Sequence, residues 1–177
     1  MPTCLIVPEA MRKVPERYVD VLRDAGFDIL YPKNPQLARN RGGEDELIAE
    51  LQGVDATIAG SEGYTPRVLA AADKLRVIAR AGVGYDGVNV PAATEHGISV
   101  TITPTANHEA VAEMTLALLF AASRMIVSND REVRAGNWPR RLPMATRGKT
   151  IGIFGLGRIG SSLAFRAGAL GMRVLAT

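Results

Sequence analysis

TIGIFGLGRIG, residues 150–160, is the stretch that decides the fold. Its apolar start, TIGIF, reads as a strand that runs into the turn GLGRIG, and SSLAFRAGAL and MRVLA follow as a helix and a second strand. A glycine-rich turn alone carries little, but one placed between a strand and a helix is a dinucleotide-binding fingerprint. In that reading Gly155 permits the tight turn, Gly157 lets backbone approach a pyrophosphate, and Gly160 lets the helix pack against the strand. The amides of Arg158 and Ile159 at the helix N-terminus are then free to hold phosphate oxygens, where the helix dipole also favours negative charge. The alternative is a βα turn that holds no ligand. A P-loop in the neighbouring RGKT is excluded, because Pro143 stands where that motif needs its first glycine and the strand follows the lysine.

Upstream, short apolar runs alternate with helical patterns. CLIV (4–7) reads as a buried strand. In VPERYVDVLRDAG, Pro15 stands at a first helical position, Tyr18, Val21, Leu22 and Ala25 recur at helical spacing, and Gly26 closes the helix. FDILY, DATIA, LRVIA and ISVTI are further strands; EDELIAEL, TPRVLAAA with Thr65 as cap and Pro66 inside it, and VPAATEHG are the helices between them. Parallel strands need helical crossovers, so this alternation predicts a doubly wound α/β unit over about the first hundred residues.

From Asn107 to about Val127 the sequence predicts one long helix, apolar on nearly every face in its middle, which two domains or a partner subunit must cover. The following SNDREVRAGNWPRRLPMATRGK reads as an irregular arm. Between Arg124 and Lys149 there are seven basic residues and two acidic ones. Such a run is a solvated loop or a device that steers anionic ligands.

Composition is that of a globular protein, 47% hydrophobic and 22% charged. A net charge of +3 and a pI near 9.3 favour acidic small molecules mildly and lack the clustered face that nucleic acid demands. The single cysteine, Cys4, excludes an internal disulfide framework, fits a reducing compartment, and reads as a small buried strand residue. No secretory signal is visible, and Met114–Ser123 is too short to span a bilayer, so a soluble, cytoplasmic protein with no membrane partner is expected.

A second glycine-rich turn, RAGVGYDGVNV, begins at the carboxyl end of the strand Leu75–Ala79. Ligands of open α/β sheets bind at such ends, and successive amides there can cradle a carboxylate. Val83 and Gly84 are therefore candidate carboxylate binders, with Arg80 as a charge partner; the competing reading is that Gly82, Gly84 and Gly87 only turn the chain. Asn107 reads as a helix N-cap. Glu109 and Glu113 favour the helix dipole or pair with arginines, His108 is placed on the surface, and His96 at a helix end. Neither histidine has a carboxylate at dyad spacing, no metal-ligand spacing occurs, and Trp138 reads as a loop anchor.

Taken together, RAGVGYDGVNVPAATEHGISV, PTANHEAVAEMTLALLFAASR, AGNW and GKTIGIFGLGRIGSSLAFRAGALGMRV resemble the NAD-dependent D-2-hydroxyacid dehydrogenase family, in its phosphoglycerate dehydrogenase-like branch. The match runs from about Leu75 onward; residues 1–74 match only as a generic α/β pattern. The resemblance implies a flavodoxin-like doubly wound substrate domain over residues 1–102, followed over 103–177 by an interdomain helix, a dimer arm and the first βαβ unit of a Rossmann domain. It implies that Val83 and Gly84 contact the substrate carboxylate, that Asn107 borders the reacting centre, that Gly155 to Gly160 hold the NAD pyrophosphate, and that helix and arm (107–148) form a homodimer interface.

The family's catalytic arginine, glutamate and histidine are expected beyond Thr177, as is the acidic residue that reads the ribose, so no catalytic residue is assigned and a fragment inactive alone is expected. The implied reaction is hydride transfer between NAD and a small 2-hydroxy or 2-oxo acid. Phosphoglycerate-like, glyoxylate-like and branched acids all remain open as substrates. The competing function is a non-catalytic dinucleotide-binding or corepressor-like protein on the same scaffold. A parallel pair of strands with one helix cannot bury both faces, so poor protection is expected from about Thr146 onward.

Overall fold

The structure, a computed structural model, describes residues 1–12, 17–39 and 42–177. They form two compact units, Met1–Pro104 and Thr105–Thr177.

The first unit contains β1 (Thr3–Ile6), α1 (Glu9–Arg12), α2 (Arg17–Asp24), β2 (Asp28–Leu30), α3 (Pro35–Ala38), α4 (Glu44–Leu51), β3 (Ala56–Ala59), α5 (Pro66–Ala71), β4 (Val77–Arg80), α6 (Val90–Glu95) and β5 (Ser99–Thr101). The five strands are ordered β2-β1-β3-β4-β5, and every pair is parallel. This is the flavodoxin-like doubly wound order. The unbroken apolar run of β1 follows from it. Successive side chains face opposite sides of the sheet, so Leu5 and Val7 enter one core with Leu47, Leu51, Tyr64, Leu69 and Ile78, whereas Cys4 and Ile6 enter the other with Val19.

Local chemistry starts the helices where the sequence predicts. Thr65 accepts the Val68 N–H at 3.4 Å with Pro66 in the first turn of α5, and Asn89 accepts the Ala92 N–H at 3.0 Å ahead of Pro91 in α6. The predicted helical position of Pro15 lies outside the described residues. In α2 the inward face differs from the expected one: Tyr18, Val19 and Leu22 pack on the Cys4–Ile6 core, whereas Val21 and Ala25 are exposed. Val19 is the position that fixes this face, one step away from the stripe that periodicity selects.

The second unit contains α7 (His108–Ser123), α8 (Ile126–Arg134), β6 (Thr150–Ile153), α9 (Arg158–Ala169) and β7 (Arg173–Ala176), with β6 and β7 parallel. The single helix expected to Val127 is corrected: α7 ends at Ser123, Met125 takes the left-handed conformation at φ 54°, and α8 departs at 58°. The polar start of the arm is also corrected from irregular to helical. It has no Gly or Pro before Gly136, and an Asp130–Arg134 ion pair of 2.9 Å one turn apart supports α8. No single helix among the described residues is long and apolar enough to cross a membrane.

Ala112 of α7, Ile153 of β6 and Leu163 of α9 form the core of this unit, flanked by Leu116, Ile151, Ala164 and Val174. The opposite side of the β6–β7 pair is open: Phe154 is 94% exposed, and Leu175 is exposed beside it. On α7 the side chains of Val111, Met114 and Leu118 are likewise exposed within this unit.

Candidate functional site

In the second unit Gly155 and Gly160 take the turn and packing roles that the spacing predicts. Gly155 sits at φ +89°, a conformation that a β-carbon makes costly, and its N–H donates to Thr177 O at 2.8 Å. A β-carbon on Gly160 would lie 2.0 Å from Gly155 O and 3.4 Å from Ile153 Cγ2, so this glycine is what lets α9 close against both turn and strand. Gly157 is different. Its φ of −73° suits any residue, and nothing lies within 4 Å of its would-be β-carbon. Neither conformation nor packing requires a glycine there, and the space beside it is open.

The first intrahelical bond of α9 is Ser161 N–H to Gly157 O at 2.8 Å, so the amides of Arg158, Ile159 and Gly160 have no acceptor among the described residues. They open a helix of twelve residues. Free donors, a dipole end and an uncrowded approach together fit a dinucleotide's pyrophosphate.

The far end of α9 is tied to α7. Arg166 pairs with Glu109 and, at 3.6 Å, with Glu113, and Ser162 Oγ donates to Glu109 at 3.0 Å. The Arg166 hydrogen bond, then that of Ser162, holds the Glu109 carboxyl below its ordinary value. The expected arginine pairing of both glutamates is thus formed.

In the first unit the loop after β4 lies at the carboxyl end of the sheet. The amides of Val83 and Gly84 have no acceptor among the described residues, whereas Gly82 O accepts Thr103 N–H at 2.9 Å and Val88 N–H reaches Tyr85 O at 2.8 Å. None of Gly82, Gly84 and Gly87 has a left-handed φ. Gly87 is needed for close approach, since a β-carbon there would lie 2.9 Å from Glu62 O, while the nearest neighbours of Gly82 and Gly84 are side-chain tips at 3.8 and 3.6 Å. The guanidinium of Arg80 is already engaged: Nε donates to Gly84 O at 2.8 Å and Nη1 to Ala59 O at 3.1 Å.

Sequence reasoning missed Glu62, which is 5% exposed and accepts the Gly60 N–H at 2.7 Å. Burial raises its carboxyl, opposed by backbone hydrogen bonds and the Arg80 charge. The available signal was an acidic residue set between Gly60 and Gly63 just past a strand end.

Other expectations are corrected. Asn107 precedes α7 without capping it through its side chain, and its Oδ1 is buried with no hydrogen-bond partner. At φ −128° and ψ −2° its backbone lies outside the β-region geometry from which a cap reaches the next turn. His108 is half-buried, with Nδ1 at 3.0 Å from Thr105 O and Nε2 at 3.1 Å from the adjacent carboxylate of Glu109. Trp138 is not buried as a loop anchor would be: it is 79% exposed, and Leu142 and Met144 of the same arm are exposed too. His96 closes α6 as expected. Arg80, Val83 and Gly84 are brought together in the first unit, whereas Asn107 and Gly155–Gly160 belong to the second.

Known proteins are similar to this chain in sequence and in fold. The chain is 39% identical to D-3-phosphoglycerate dehydrogenase of Pongo abelii over 158 residues, which cover 88% of this chain and 28% of that protein. It is 37% identical to glyoxylate reductase of Pyrococcus horikoshii over 174 residues, 93% of this chain and 51% of that one. The chain thus spans about half, or less, of these relatives. An NAD-dependent formate dehydrogenase from Staphylococcus aureus, solved in complex with NAD, superposes with a TM-score of 0.79 at 28% identity, covering 99% of this chain and 56% of the other. Residues 10–167 match the catalytic domain of D-isomer specific 2-hydroxyacid dehydrogenases, and by that match the chain belongs to this family.

Proposed function

We propose that the chain supplies the substrate-carboxylate loop and the cofactor-diphosphate turn of a D-2-hydroxyacid dehydrogenase, an oxidoreductase that moves a hydride between NAD and a small 2-hydroxy or 2-oxo acid. Bound NAD supplies the hydride acceptor or donor. Arg158 and Ile159 offer their amides to its pyrophosphate, Gly157 leaves the approach open, and Gly155 and Gly160 shape the turn. Val83 and Gly84 offer amides to the substrate carboxylate. The buried Oδ1 of Asn107, which has no hydrogen-bond partner among the described residues, supports a place at the edge of the reacting centre, where a bound ligand would supply one. Substrates of the size of glyoxylate or 3-phosphoglycerate fit the family relationship. Exposed Trp138, Leu142 and Met144, with Met114 and Leu118 on α7, support a homodimer built through residues 107–148.

The observation that carries this reading is Gly157: a glycine that neither backbone nor packing demands, placed before free helix amides. Equilibrium dialysis of NAD against the chain and its Gly157→Val variant tests it. Retention by the parent and loss of about tenfold or more in the variant is expected; equal retention by both overturns it.

A further inference from the structure

At the tip of the loop after β4 a side chain holds the backbone. Gly82 O is held by Thr103 N–H at 2.9 Å, the amides of Val83 and Gly84 bond to nothing among the described residues, and Gly84 O is tethered by Arg80 Nε at 2.8 Å. The same guanidinium grips the end of β3 through Nη1 and Ala59 O, 3.1 Å apart. A planar fork with donors in fixed directions sets the position of one carbonyl against the other, which a flexible ammonium does not.

Glu62 lies in the loop that follows β3 and is wedged in place. Its Oε2 takes the Gly60 N–H at 2.7 Å, a β-carbon on Gly60 would meet Oε1 at 2.6 Å, and its backbone oxygen packs against Gly87. The two loops are further zipped by Tyr64 N–H to Gly87 O at 2.7 Å and Asn89 N–H to Tyr64 O at 3.0 Å.

We propose that Arg80 is a positioning residue: it clamps the loop so that the Val83 and Gly84 amides stand ready for a carboxylate, its guanidinium being committed to the carbonyls of Gly84 and Ala59 instead of to the anion. The proposal rests on the carboxylate-binding reading of that loop. Arg80 is then a structural clamp for a site whose attraction comes from amide dipoles, and not the anion's charge partner.

The test uses the whole 177-residue chain. Backbone ¹⁵N order parameters at Val83 and Gly84 are measured without ligand, and glyoxylate is titrated against the same amide signals. Arg80→Lys, which keeps the charge and loses the fork, is expected to lower the order parameters of these two residues from about 0.85 to below about 0.6, to leave those of Val68 and Ile78 unchanged, and to weaken glyoxylate about tenfold. Glu62→Gln, which keeps an acceptor for Gly60 and the Arg80 fork, is the control and is expected to leave both readouts in place. Unchanged order parameters in Arg80→Lys overturn the clamp, and so does a uniform fall across the unit or a Glu62→Gln effect as large as that of Arg80→Lys. If the unmutated chain shows no response to glyoxylate, the carboxylate reading falls instead, and the order parameters still decide the clamp.

Discussion

Gly160 and Gly155 meet across the turn so closely that a β-carbon on the first would stand 2.0 Å from the carbonyl oxygen of the second. Helix α9 therefore begins where it does because one residue has no side chain, and the amides at its start are aimed by that contact. Backbone cannot yield as a side-chain tip would. Gly160→Ala is expected to destabilise the second unit by about 1–3 kcal/mol or more, read as a lowered melting temperature and early proteolysis within residues 150–177. An unaltered melting curve contradicts the close packing.

Asp55 ties the start of β1 to the entrance of β3 by accepting the Thr3 N–H at 2.8 Å. That backbone hydrogen bond is the largest influence holding its carboxyl below the ordinary 3.8. The folded state thus binds the proton less tightly than the unfolded one. The stabilisation is complete above the ordinary carboxyl value and fades as pH falls through the lowered folded value. Asp55→Asn keeps an acceptor and removes the titration, so the stability gap between parent and variant is expected to narrow between about pH 5 and about pH 2 in denaturant titrations. A gap that stays constant over that range contradicts the assignment.

Cys4 lies in the core on one side of β1, and burial pushes its thiol up to about 11. Thiolate is the reactive form, so a disulfide reagent at about pH 8 is expected to leave the folded chain untouched and to label it once unfolded in urea. Rapid labelling of the native chain would place Cys4 elsewhere.

Much of this was legible in sequence because it is set by local rules. The strand–turn–helix order around GLGRIG, the caps at Thr65 and the run CLIV follow from φ preference, capping and alternation. What periodicity could not supply was decided by tertiary contact at Val19 and by local backbone and side-chain chemistry at Met125 and in α8. Val19 turns α2 by one position toward the Cys4–Ile6 core, Met125 breaks the apolar helix through a left-handed turn, and a polar stretch with an ion pair one turn apart becomes α8. Glu62 was overlooked because a lone acidic residue between glycines resembles a solvated turn until its burial is seen, and the Asn107 amide lacks the cap bond that its residue type predicts.

The exposed arm gives a prediction for assembly. Leu142→Glu combined with Trp138→Ala places charge on, and removes aromatic area from, a surface that is bare in the single chain. Sedimentation is expected to show a dimer for the parent and a monomer for the variant with unchanged circular dichroism. A parent that sediments as a monomer across micromolar concentrations contradicts the arm's proposed role.

The central claim, that free amides at the start of α9 grip a diphosphate, is tested most directly by following the ¹⁵N–¹H signals of Gly157, Arg158 and Ile159 as NAD is added to the chain. The account predicts progressive, saturable shifts at these three residues, abolished in Gly157→Val while the signals of Ile153 and Leu163 hold their places. Signals that stay still at millimolar NAD, or that move equally in the variant, would contradict it.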